Sequence, residues 1–404
     1  TTRPCASVCG AGEEVCAEGT FAACDAPAPD ADGRCPGAPG CDEASRLPRG
    51  ASRLTGNEVD ARFPKPVWTG AGWAVFWGQS QGIDGDVWLA LRDADGRPAG
   101  APRVVLDRHF ADAVWLGDAF FVAGVEGGQV AFARPAADGA RGLVTEPFLL
   151  PTGSFSEGQL AVGPAGIGVA WSDGLESVWF MRLDRDAREL AAPVQVAEAP
   201  GRQHDPSLVA DANGFTVAWK DDRADPDGNG APAVYVRQLT VDGTPRGPAR
   251  RIAGGTSPSL ARLAVGGYLL AFVDHRDGRN DDVYVTPLTS AGERAGPDVL
   301  LSDSPANARA PSVAALGAGA AVAWHDRRQD PADAIRVARL DAQGNPVGGV
   351  EAVTDGAAPA IHPALTVGEA DRLAVSWMDR RHTDEAFGPA AAYAVVGPLL
   401  CPEE

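Results

Sequence analysis

Lysine is almost missing from this 404-residue chain. Only Lys65 and Lys220 occur, and every other basic residue is arginine. Cysteine is absent between Cys41 and Cys401. No stretch carries a sustained 3.6-residue apolar period, which removes the parallel α/β folds. No apolar run approaches the roughly 18 residues that a membrane helix needs. No Gly-x-Ser-x-Gly elbow is present and every cysteine lies at the two ends, so nucleophilic catalysis finds no support. The six histidines are scattered without ligand spacing, which makes lactonase-like or quinoprotein chemistry a poor third reading. Cationic excess is missing too. The formal charge of −19 repels nucleic acid and anionic membranes.

What is present is a repeat. The anchors Trp77, Ala123, Trp171, Trp219, Phe272, Trp324 and Trp377 each follow small apolar residues and recur about every 50 positions. The fourth copy shows the unit. Pro206 to Ala210 is one apolar run, Asn213-Gly214 a hairpin turn, and Phe215 to Trp219 a second run. Val234 to Leu239 alternates, Asp242-Gly243 turns the chain, and Arg250-Arg251-Ile252 opens a fourth strand. Four short strands per repeat is the size of a β-propeller blade. The 49 glycines and 33 prolines suit the many turns.

The expected fold is all-β, a seven-bladed β-propeller over residues 51–404, after a small Cys-rich, disulfide-bonded segment and linker over 1–50. The second copy is weakest because Ala123 replaces the aromatic, which leaves six or eight blades open. The last copy supplies three strands, ending near Val396. Residues 51–55 resemble the fourth strands of other copies, so they are expected to complete the seventh blade beside Ala391–Val396. Such a clasp removes an open edge.

Cys5, Cys9, Cys16, Cys24, Cys35 and Cys41 crowd a segment poor in apolar residues, and Cys401 lies near the other end. The cluster points to disulfides and an oxidising compartment: extracellular, periplasmic or on the outer cell surface. Zinc is the competitor, weakened because no Cys-x-x-Cys pair exists and no histidine precedes His109. A bond from Cys401 to Cys35 or Cys41 would lock the ring. The stretch from Cys9 to Cys24, with Gly10, Cys16, Gly19-Thr20-Phe21 and Cys24, resembles a Cys-rich module of surface proteins from GC-rich Gram-negative bacteria. That resemblance implies export. The arginine, alanine and glycine bias agrees with such a genome.

The loop after the second strand is the candidate site. Aromatic-x-Asp-x-Arg recurs as Trp219/Asp221/Arg223, Phe272/Asp274/Arg276, Trp324/Asp326/Arg328 and Trp377/Asp379/Arg381. With Asp205 the aspartates and arginines of these motifs would form a ligand-binding rim at one channel mouth. A repeated residue is more often scaffold than catalyst, however, and a turn Asp accepts backbone N–H bonds. Tryptophan–aspartate repeat propellers use a turn Asp with a His in this structural way, and His204 and His362 occupy the matching places. The array as a whole resembles the sialidase-like propeller repeats of secreted bacterial proteins, although the Asp-box signature Ser-x-Asp-x-Gly-x-Thr-Trp is absent.

Asp225, Asp227, Asn229 and Gly230 follow the opening spacing of a calcium loop. Position twelve is Val236, so Asp221 or Asp222 would have to close the shell. An ordinary Asp/Gly turn is the plain alternative, and Asp277 to Asp282 is a weaker second candidate. The functional reading is a cell-surface binding or scaffolding propeller, with a protein or glycan partner and no transmembrane segment. The alternative is a carbohydrate-active hydrolase or lyase using mouth carboxylates, with Asp205, Asp222 and Glu385 as loose acid candidates. No catalytic residue is assigned.

Overall fold

The computed structural model describes residues 52–55 and 60–397, apart from 82–83, 151–153, 175–176, 198, 224–231, 277, 279, 304, 329 and 382–389. Residues 2–7, 10–17, 20–21, 81, 84, 370 and 397 are described as backbone alone. The chain divides into two units, residues 1–46 with Glu404, and residues 47–403. In the first, Thr2–Ser7, Gly10–Ala17 and Thr20–Phe21 form a three-stranded antiparallel sheet in chain order. The cysteine pairings expected from the sequence, that of Cys401 included, lie outside the described residues.

The second unit is a seven-bladed β-propeller, each blade a four-stranded antiparallel sheet. Blade 1 runs Asp60–Trp68, Gly72–Gln81, Asp84–Asp93, Arg103–Leu106. Blade 4 runs Gln203–Asp211, Gly214–Asp221, Ala233–Thr240, Pro245–Gly254. The other blades repeat the order. The first strands stand side by side around the ring, each against the next, and that of blade 7 against that of blade 1. Apart from a 3-10 turn at Glu369–Asp371, the described residues hold no helix, and so none long and apolar enough to cross a membrane.

The ring closes as the repeat count requires. Blade 7 takes Ala360–Val367, Leu373–Asp379 and Ala391–Gly397 from one end of the chain and Ser52–Arg53 from the other. Arg53 pairs with Tyr393 and Ser52 with Ala394. The Leu54 N–H donates to the Ala392 carbonyl at 2.9 Å.

Second strands are mostly apolar because both of their faces are covered. In Gly319–Asp326 every residue is buried. Fourth strands such as Pro346–Ala352 are mostly exposed. The apolar core is divided among the seams between neighbouring blades. One cluster joins Leu316, Val337, Leu365 and Trp377 of blades 6 and 7. Another joins Leu54, Val75, Trp77 and Ala394 across blades 7 and 1. The anchors Trp77, Trp171, Trp219, Trp324 and Trp377 are among the largest fully buried side chains. In blade 2 the anchor's Cα partner is Phe132, which stacks on Phe121 at 5.4 Å, so the ring volume missing at Ala123 comes from its neighbours.

Candidate functional site

The repeated motif folds into a compact cassette. In blade 4 the indole N–H of Trp219 donates to Asp221 Oδ2 at 2.9 Å. Asp221 Oδ1 accepts from the Arg223 backbone N–H at 2.8 Å and from Arg223 Nε at 2.9 Å. The guanidinium of Arg223 lies 4.1 Å over the Tyr235 ring, and Tyr235 is stacked on Trp219. Blade 7 repeats this with Trp377, Asp379, Arg381 and Tyr393. In blade 6 Trp324 and Arg328 hold Asp326, and Arg336 takes the place of the tyrosine and donates to Asp326 Oδ1 at 3.2 Å. In blade 5 Phe272 offers no donor, and Arg276 bridges Asp274 at 2.6 Å and Asp298 at 2.8 Å.

Asp221, Asp326 and Asp379 are at most 1% exposed, with both oxygens engaged. Such carboxylates present nothing to a ligand, so these positions of the expected rim belong to the blade interior. The bonded partners are Trp and Arg; His204 and His362 do not take the role their positions suggested. In blade 3 Asp173 accepts from Trp179 at 3.1 Å, and Trp171 Nε1 is buried with no partner among the described residues.

The rim is built one step further along each first strand. Phe63, Glu157, Asp205, Ser257, Ala310 and His362 all have φ between 49° and 52°. Each sits at a break in the ladder between the first and second strands. Two residues oppose one at such a bulge, and the extra one is turned out of the ladder. Proline follows five of the six, and a bulge is where a sheet tolerates a missing N–H. The pairings Gln203 with Asp221 and Ala360 with Asp379 set these bulges at the same end of each blade as the motif Asp.

Below the bulges a belt of hydrogen bonds joins the blades. Ser207 Oγ accepts from Leu260 N at 3.0 Å, Ser259 Oγ from Val313 N at 3.1 Å, and Ser312 Oγ from Leu365 N at 3.0 Å. In the same register Asp112 accepts from Leu160 N at 2.7 Å and pairs with Lys65.

Two chemically different arcs occupy the rim. On blades 6, 7 and 1, His325 Nδ1 accepts from the His362 N–H at 3.4 Å, and the two rings meet edge-on at 5.8 Å. Phe63, 53% exposed, packs edge-on against His362 at 5.3 Å. Burial, then His362 and Arg309, pushes the His325 imidazole down to about 3. Burial and Arg380 lower His362.

On blades 3 and 4, Glu157, His204 and Asp205 converge. His204 Nδ1 lies 3.8 Å from Glu157 Oε1 and 3.6 Å from Asp205 Oδ1. Glu157 Oε2 accepts from the Asp205 backbone N–H at 2.8 Å. Asp205 and then Glu157 raise the His204 imidazole to about 9 against the pull of burial. Burial opposes ionisation of Asp205, but His204, with Glu157 and Lys220, outweighs it and leaves that carboxyl below its ordinary range. The cluster opens into a cleft of about 280 Å³ lined by Glu157, Arg202, Gln203 and His204.

Asp205 is therefore the one residue of the expected rim that the structure joins to a cluster at the mouth. Glu157 was not legible. Gly158 stands where the sibling blades have proline, so the chain around it does not read as a rim segment. The loop of Asp225, Asp227 and Asn229 lies outside the described residues, as does Glu385. Asp221 is consumed within its blade and is not available to close a calcium shell. Asp222 lies 3.9 Å from Lys220. In the weaker second loop, Asp281 is held by Arg309 and Asp282 by Ser302.

No protein-family profile matches the chain, and no curated protein matches it. Solved structures do. An α-L-arabinofuranosidase from Fusarium graminearum is 11% identical with a TM-score of 0.50, covering 87% of this chain and 96% of that one. An acylaminoacyl peptidase is 10% identical with a TM-score of 0.50, covering 84% of this chain and 52% of that one. A neuraminidase-like protein from A/bat/Guatemala is 8% identical with a TM-score of 0.49, covering 88% and 92%. The first two likenesses bear on the fold alone.

Proposed function

We propose that this chain is an exported binding propeller that takes a cell-surface glycan or protein at the channel mouth. The observation that carries the reading is the rim itself. One backbone position recurs in six blades with the same left-handed φ, yet its side chains are Phe63, Glu157, Asp205, Ser257, Ala310 and His362. The scaffold repeats its residues, whereas the rim varies them around a constant geometry, as a recognition surface does. An exposed aromatic on one arc and paired carboxylates on the other suit a ligand with both an apolar face and polar groups. Export rests on the N-terminal cysteines.

Hydrolysis is the second reading. The Fusarium relative is named as a glycosidase, and Glu157 and Asp205 lie close enough for a carboxylate pair. A general acid, however, needs a carboxyl held protonated near neutral pH. Asp205 is pushed the other way, which favours binding. Glycan and peptide arrays probed with the wild-type protein and with Phe63→Ala, followed by product-release assays on the glycans retained, test the choice. Binding lost in the variant with no product formed is the expected result. Turnover of a retained glycan would replace the binding reading with the hydrolytic one.

A further inference from the structure

We infer that Glu157, His204 and Asp205 form a binding site for a first-row divalent cation of the zinc class. Among the described residues this is the one group of three or more His, Cys, Asp or Glu side chains whose donor atoms lie within 4.8 Å of one another. The sibling positions in four other blades carry Phe63, Ser257, Ala310 and His362, so the set occurs once among the described residues.

The spacing exceeds that of a hydrogen-bonded trio and lies within reach of a coordinated ion. The separations of 3.6 and 3.8 Å from His204 Nδ1 exceed hydrogen-bond length. Two donors on a tetrahedral ion with bonds of 2.0–2.1 Å stand about 3.3 Å apart, a short closing movement from here. Glu157 is already oriented. Its Oε2 is held by the Asp205 N–H, which turns Oε1 toward the imidazole, as outer hydrogen bonds orient metal ligands. One imidazole with two carboxylates suits zinc, cobalt or manganese; calcium sites are built from oxygen.

A separate feature points the same way. Gln203 is 1% exposed and lines the same cleft. Its Nε2 is fixed by the carbonyls of Gly201 at 2.7 Å and Ala199 at 3.3 Å. Its Oε1 is buried and accepts from nothing among the described residues. A buried acceptor without a donor is costly in a settled structure, and a cation or its bound water in the shared cleft is one way to satisfy it. Lys220, opposite His204 in the ladder, lies 3.9 Å from Asp222 and also acts on His204 and Asp205, so a bound cation would compete with its charge.

The test uses the full oxidised chain, stripped of metal, titrated with Co²⁺ and then Zn²⁺. The expected result is one Co²⁺ equivalent with visible bands of a nitrogen–oxygen site and no thiolate charge-transfer band. Glu157→Gln and Asp205→Asn should each weaken binding at least about tenfold. Both variants keep the side-chain shape, and Asn tolerates the left-handed backbone at position 205. Zn²⁺ should raise the melting temperature of the wild type and leave both variants unmoved. Unchanged affinity in the two variants, binding reported only by a thiolate band, or no binding at millimolar metal would each overturn the site.

Discussion

Asp326 shows how much one residue is asked to hold. It is excluded from solvent while it accepts from an indole and two guanidinium groups. Replacing it with Ala strands those donors and should cost about 1–3 kcal/mol. Urea denaturation measures the loss, and ligand binding by the intact rim should persist. His325 predicts a pH effect. Its pKa is about 3 in the fold against 6.5 for the free group, so the unfolded chain takes the proton first. Its contribution is complete above pH 6.5 and is lost as the pH falls toward 3. At pH 5 the deficit should be about 2 kcal/mol. His325→Asn, which keeps an acceptor for the His362 N–H, should flatten the fall in melting temperature between pH 7 and 5. An unchanged slope would show that His325 is not held neutral. The Asp–Arg motif was legible from sequence because four blades repeat it. Its Trp donor was also in plain view, but the partnership depends on an indole turning toward its own strand end, which spacing does not report.

At the scale of the strand, the bulge is a local strain that the ring repeats. Ala310 has φ 51°, a region costing a non-glycine residue roughly 1–2 kcal/mol. Ala310→Gly should therefore stabilise the protein, by a few tenths to about 1 kcal/mol once the entropy of glycine is subtracted. Ser312→Ala, two residues on, removes the acceptor for Leu365 N and should cost about 1 kcal/mol. Paired melting curves of the two variants should move in opposite directions. A glycine variant that melts lower would mean the bulge is unstrained. Blades and anchors were readable from hydrophobic runs and turn dipeptides. The bulge was not, because it is a mismatch between two strands and neither strand announces it alone. The x-Pro dipeptides Asp205-Pro206, Ser257-Pro258, Ala310-Pro311 and His362-Pro363 were its trace in the sequence. Glu157-Gly158, which lacks the proline, left none.

At the scale of the whole ring, closure depends on Ser52–Thr55. A chain lacking residues 1–46 keeps this segment, while one lacking 1–55 loses it. The shorter chain forfeits the burial of Leu54, about 1.5–3 kcal/mol, and exposes the edge of Ala391–Gly397. Size-exclusion chromatography and thermal melting should show the 1–55 deletion melting lower and self-associating, with the 1–46 deletion monodisperse. Equal behaviour would mean that the clasp does not hold the ring. The same clasp sets a timetable for synthesis. Ser52 and Arg53 leave the ribosome well before their partners Tyr393 and Ala394 are made. At roughly 5–20 residues per second the early strand waits on the order of tens of seconds. Throughout that interval the nascent blades form an arc with two raw ends, exposed to any chaperone or misplaced neighbour that reaches them. The arc becomes a ring only when Ala391–Gly397 arrives to pair with Ser52–Arg53.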